Sequence, residues 1–198
     1  LDGIDYVIMP DAFAMDVAFR PGRLDGGARG QGHYLTLERM DGYLRDIEEG
    51  TFFAKIEGGN FRLAFNVLKP GPWQDPRIRR AIALWVDKQA AIPSALGGLG
   101  WTSPDLGPPS IPIPRHFINW PKFDLGSLDN KRAESKRLMS EAGYPDGFSM
   151  GHLCRALNAV PCEFLQAQLA GLGIKLQIKL VDEGEWNTAR ISLNYDTQ

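Results

Sequence analysis

FRLAFNVLKPGPWQDPRIRRAIALWVDK, residues 61–88, decides the fold class of this chain. Phe61, Leu63, Phe65 and Val67 alternate at period two, which predicts a strand over Phe61–Leu68. Pro70 and Pro72 stop it. Asp75 followed by Pro76 reads as a helix start: the carboxylate accepts an orphan backbone N–H, and proline at the first helical position leaves no donor unpaired. Ile78, Ile82, Trp85 and Val86 then recur at helical spacing, so the helix lays one face on a core. Pro93 is expected to end it.

Towards the amino end, Ile4–Met9 reads as a strand and Ala12–Arg20 as a short helix closed by Pro21-Gly22. The glycine-rich segment 26–32 lacks the strand and helix context of a dinucleotide loop and reads as a connector. Thr36–Glu49 is an expected amphipathic helix, and Thr51–Ile56 a strand turning through Gly58-Gly59-Asn60 into a hairpin. Towards the carboxyl end, prolines between Gly97 and Gly126 rule out regular structure over most of that stretch, while Trp101, Phe117, Trp120 and Phe123 argue for an ordered flap. Then come a helix over Asp129–Ala142, a strand over Phe148–Cys154, a helix over Pro161–Leu172 and a strand over Lys175–Val181. Asp182 caps a last helix carrying Trp186. Helix–strand–helix–strand–helix is the order of an α/β layer sandwich.

The 198 residues suffice for one substantial core or two small ones, and 43% hydrophobic with 23% charged residues is an ordinary globular composition. A formal net charge of −2 gives no electrostatic case for nucleic acid as a partner. No apolar run is long enough to span a bilayer, and Leu1-Asp-Gly-Ile-Asp-Tyr6 reads like the middle of a protein. Cys154 and Cys162 lack zinc-type spacing. Two buried free thiols are the plainer expectation for them, and a disulfide from strand end to helix start is the alternative. His33, His116 and His152 are scattered, and neither a nucleophile motif nor a nominated carboxylate pair is present. Neither a catalytic residue, a metal site nor a cofactor is therefore expected. Arg77, Arg79 and Arg80 crowd a helix start, where positive charge is unfavourable; Asp75 and Asp87 are expected to compensate them.

Several blocks coincide with one family. Asn66–Lys88 resembles the proline–aromatic–Asp–Arg-x-Arg–helix–Asp-Lys block of the extracytoplasmic solute-binding proteins of peptide and nickel ABC importers, family 5. Leu138-Met-Ser-Glu-Ala-Gly-Tyr-Pro-Asp-Gly-Phe148 resembles its Glu-Ala-Gly-Tyr-Pro-Asp-Gly-Phe block. Leu165-Gln-Ala-Gln-Leu-Ala-Gly-Leu-Gly-Ile174 resembles the helix and strand entry that follow, and Glu185-Trp186 the acidic–Trp position after them. Arg20-Pro-Gly-Arg-Leu-Asp25 is similar to an early turn of the same lobe. Trp73 in place of phenylalanine, the early Pro93 and the long proline-rich stretch are departures.

The resemblance implies a layered mixed-sheet lobe of a type II periplasmic-binding-protein fold. All of 1–198 is then the second lobe, with a proline-rich excursion at about 97–126. Family members are considerably longer, with a first lobe built from both ends of the chain. The implied function is binding of a peptide or related small solute for ABC-type import, in the periplasm or anchored outside the membrane, with a membrane permease as partner. The alternative is the solute-sensing lobe of a transcription regulator. Trp186 is the implied ligand contact, an aromatic face of large area. Arg190, one turn on, offers a fork for a carboxylate or phosphate. Asn66 faces either the cleft or solvent.

Overall fold

The computed structural model describes residues 3–9, 12–24, 37–47, 61–96, 98 and 125–198. The chain divides into two compact units, Leu1–Lys55 and Ile56–Gln198. The glycine-rich connector, the hairpin at 51–60 and nearly all of the proline-rich excursion lie outside the described residues.

In the first unit, helix α1 (Ala12–Phe19) is closed at Pro21-Gly22 by bonds from Gly22 N–H to Phe19 O (3.0 Å) and from Arg23 N–H to Ala18 O (3.1 Å). Helix α2 (Leu37–Asp46) brings Tyr43 edge-on to Phe19, ring centroids 5.6 Å apart. Arg20 lies 4.8 Å over the Tyr43 ring and pairs with Asp46. The strand expected over Ile4–Met9 does not form. A strand needs a neighbour for its backbone groups, and among the described residues none bonds to this segment. Its apolar side chains Ile4, Tyr6, Val7 and Ile8 stand exposed.

In the second unit, helix α3 (Pro76–Trp85) starts where its cap chemistry says, with the Asp75 carboxylate accepting from Arg77 N–H at 2.8 Å. It buries Ile78, Ala81, Ile82, Leu84 and Trp85. The expected run to Pro93 is broken instead at Val86, which takes extended backbone. Asp87 then accepts from Ala90 N–H at 3.1 Å and opens a separate helix α4 (Lys88–Ala95), which carries Pro93 inside it. This second cap residue, and not the proline, sets the boundary. Helix α5 (Leu128–Glu141) is capped by Ser127 and packs closely on α3, where the fully buried Ser135 hydroxyl donates to Ala81 O at 2.8 Å.

Strand β1 (Ser149–Arg155) pairs in parallel with β2 (Lys175–Val181) from Ser149↔Lys175 to Arg155↔Val181. Helix α6 (Ala159–Ala170) forms the crossover. On the opposite side of β1, Thr197 bridges His152 in parallel and Phe65 in antiparallel sense. The strand expected over Phe61–Leu68 thus contracts to a short pairing: Ala64 and Gln198 exchange two bonds of 2.8 and 3.0 Å, and Asn66 N–H reaches Asp196 O at 2.8 Å. The chain leaves the sheet directly after Asn66, whose carbonyl accepts the Trp73 indole N–H at 2.9 Å. The result is the mixed sheet expected from sequence, with helices layered on it. Leu138 and Met139 of α5, Leu169 of α6, and Met150 and Leu176 of the sheet join α3 in one core. Each such fully buried side chain contributes roughly 1.5–3 kcal/mol. Trp85 ties α3 to α6 by donating to Gln168 O at 2.6 Å.

The two cysteines are not free thiols. Cys154 and Cys162 form a disulfide with Cα atoms 6.6 Å apart. Cys154 shares the buried parity of β1 with Met150 and His152, and the first turn of α6 sets Cys162 opposite it. Among the described residues no helix is long and apolar enough to cross a membrane.

Candidate functional site

The carboxyl ends of the parallel strands carry the most distinctive polar group. In open α/β sheets the loops beyond these ends are where ligands bind. Arg155 is the last residue of β1, and Asp182, immediately after β2, caps helix α7 (Glu183–Ile191) by accepting from Glu185 N–H at 2.8 Å. This turn sets Trp186, half-buried, with two guanidinium groups close to its ring. Arg155 lies 4.9 Å from its ring centroid and Arg190 5.4 Å. Each contact stabilises by about 0.5–1 kcal/mol at such exposure and holds the cation in place. Glu183 pairs with Arg155 at 3.2 Å and also accepts from the Asn187 amide at 3.1 Å, so one of the two positive charges is partly balanced. Arg190 has no carboxylate partner among the described residues. An aromatic face with a free planar fork beside it suits an anionic group on a flat or apolar body.

Trp186 and Arg190 are brought together as their one-turn spacing implied. Arg155 was missed, although the strand's parity was enough to find it: alternation places it opposite the helix-facing Cys154. Asn66 faces neither cleft nor solvent. It is 4% exposed, and its side-chain amide donates to Leu193 O (2.8 Å) and Tyr195 O (3.1 Å) and accepts from Leu68 N–H (3.2 Å). It ties the carboxyl-terminal segment to the start of the 61–88 block, a role that needs tertiary contact and leaves no local trace.

The arginines at the α3 start are structural. Arg77 pairs with Asp75 at 2.6 Å and donates to Glu141 O, Arg79 donates to Trp73 O and Gln74 O, and Arg80 pairs with Glu134 at 3.2 Å. The Arg77 side chain, then its backbone N–H, hold the Asp75 carboxyl below its ordinary range. Asp87, expected to share in this compensation, caps α4 instead. His152 is buried, its Nδ1 3.0 Å from Thr197 Oγ1, and burial pushes its pKa down to about 4. His33 and His116 lie outside the described residues. Two shallow hollows of about 340 and 350 Å³ sit around Gly173, at the opposite end of the sheet from Trp186, and neither is lined by Trp186 or its arginines.

This lobe is of the periplasmic-binding-protein class. It superposes on MoaA of A. tumefaciens R10, solved with mannopinic acid, over 96% of this chain and 36% of that one, with a TM-score of 0.59 and 22% identity. For AgaA of the same strain, solved with agropinic acid, the figures are 68% and 27%, a TM-score of 0.53 and 29% identity. Residues 1–198 match the family described as bacterial extracellular solute-binding proteins, family 5, middle part, and the chain belongs to that family. In sequence it is 33% identical over 118 residues to the glutathione-binding protein GsiB of Salmonella choleraesuis (strain SC-B67), covering 58% of this chain and 21% of that protein. The chain thus spans a minor part of each of these relatives, all of which are binding proteins.

Proposed function

We propose that this chain supplies much of the second lobe of an extracytoplasmic solute-binding protein, which hands a small carboxylate-bearing solute to an ABC permease in the membrane. The observation that carries the anionic specificity is the pair of guanidinium groups, Arg155 and Arg190, gathered at the Trp186 ring. Glutathione, agropinic acid, mannopinic acid and peptides, named with its relatives, all carry carboxylate groups. The first lobe, elsewhere in the same protein, closes over the solute, and binding energy favours the closed state without chemistry. The setting is the periplasm or the outer face of a membrane to which the protein is anchored, with no role for nucleic acid. The regulator alternative has no observation in its favour, since the matching family is extracellular.

Calorimetry on the full-length protein tests this with a panel of small acids, their amides and short peptides. Losing a charge-assisted bond weighs about 1.5–3 kcal/mol, so Arg190→Ala should weaken a bound acid roughly 10- to 100-fold. The amide of that acid should lose little. Equal loss for acid and amide, or none for either, would sink the anionic reading.

A further inference from the structure

Beyond the solute surface, on the other face of β1, a second cluster gathers. One ring nitrogen of His152 and the sulfurs of Cys154 and Cys162 all lie within 4.8 Å of one another, and all three residues are buried. Strand parity puts His152 and Cys154 on one face two residues apart, and the first turn of α6 delivers Cys162. We infer that, once the disulfide is reduced, these three side chains form a binding site for a thiophilic d10 cation, Cu(I).

The hydrogen bonds prepare His152 for ligation. The Thr197 hydroxyl donates its only proton to Gly151 O at 2.8 Å. It must therefore accept in its 3.0 Å contact with His152, which puts the ring proton on Nδ1 and leaves the Nε2 lone pair free. A ligating histidine that donates its other N–H to a fixed partner is the ordinary outer-shell arrangement of metal sites. Thr197 is itself fully buried, so the ring orientation is set before any ion arrives. Two thiolates with an imidazole are soft ligands that select Cu(I) or zinc. Zinc fills four positions, usually taking water where the protein supplies three ligands. Three buried ligands fit the lower coordination of Cu(I).

The redox step balances with a small dithiol as reductant. One of its thiolates attacks the disulfide at Cys162, the more exposed of the two sulfurs' residues, giving a mixed disulfide. Its second thiol then displaces the protein sulfur and leaves as a cyclic disulfide. Two electrons and two protons remain on Cys154 and Cys162. Copper enters as Cu(I), is neither oxidised nor reduced, and expels both thiol protons to solvent. This site is independent of the solute-binding reading.

The test is anaerobic Cu(I) titration of the full-length protein against a chromophoric chelator, before and after treatment with a dithiol that is then removed. One equivalent should bind to the reduced protein, with thiolate-to-copper charge-transfer absorbance, and none to the oxidised protein. Cys162→Ser should abolish binding. Should that variant fold poorly, His152→Gln leaves the disulfide intact and should lower affinity at least about tenfold. Thr197, a positioning residue, should lose about 10- to 100-fold as Thr197→Val, with recovery in Thr197→Ser. Equal binding by oxidised and reduced protein, an unaffected His152→Gln, or binding of Zn(II) alone would overturn the assignment.

Discussion

Replacing Gly147 by alanine tests how the two strand entries are held. Gly147 ends the turn before β1 and Gly173 closes α6 before β2, with φ of +81° and +79°. The two residues touch: a Cβ on Gly147 would lie 2.1 Å from Gly173 O and 2.2 Å from its carbonyl carbon, both backbone atoms. Just beyond, Lys175 N–H reaches Phe148 O at 2.8 Å and starts the ladder. Alanine in left-handed backbone costs about 1–2 kcal/mol, and overpacking adds about 1–3 kcal/mol. The expected loss is roughly 2–5 kcal/mol. Gly143 separates the two contributions, since its φ is +87° yet nothing lies within 4 Å of a Cβ there. Gly143→Ala should therefore lose only the backbone part, about 1–2 kcal/mol. Urea unfolding followed by far-UV circular dichroism gives both values from midpoint and slope. Equal losses for the two variants, or a Gly147→Ala change within about 0.5 kcal/mol of zero, would refute the steric account.

His152 makes stability depend on pH. Its folded pKa is lowered from 6.5 to about 4, so the unfolded chain binds the extra proton between those values. Stability is full above 6.5 and falls as pH drops towards 4, by about 2 kcal/mol between pH 7 and 5. His152→Gln should remove that part of the slope in denaturation midpoints of the disulfide-intact protein. Reducing the Cys154–Cys162 bond, which closes a sequence separation of 8, should lower stability by about 2–3 kcal/mol in the same assay with and without dithiol. Asn66→Ala removes three side-chain bonds and strands the Leu193 and Tyr195 carbonyls, so it should cost about 2–4 kcal/mol by urea titration while changing no solute affinity.

Legibility in the sequence followed the range of the forces involved. Asp75-Pro76, Ser127 and Asp182 act within one turn, and the helices they start are where local chemistry puts them. Strand β2 was readable because Leu176 and Ile178 alternate with Lys175, Gln177 and Lys179, while β1 buries three successive residues, 152–154, and shows no such alternation. Phe61–Leu68 alternates equally well but pairs only over 64–66, because pairing depends on a partner that sequence pattern does not supply. Ser135 gave no signal, since its value lies in being small and hydrogen-bonding where α3 and α5 meet. Trp186 was visible through the family resemblance, and Arg190 through its place one helical turn on. The His152–Cys154–Cys162 cluster needed the tertiary fold, which brings the first turn of α6 onto the buried face of β1.

The placement of Thr197 between β1 and the 64–66 segment bears on the order in which the lobe folds. Its contacts reach back 45 residues to His152, and Asn66 waits for Leu193 across 127. As the chain leaves the ribosome, β1 and β2 can pair while the β1 edge facing Thr197 is still open. An open edge is a template for pairing with another chain, and long-range closures are slow. The exposed interval ends when residues 196–198 emerge and take their place, so this short segment acts as the latch that covers the β1 edge.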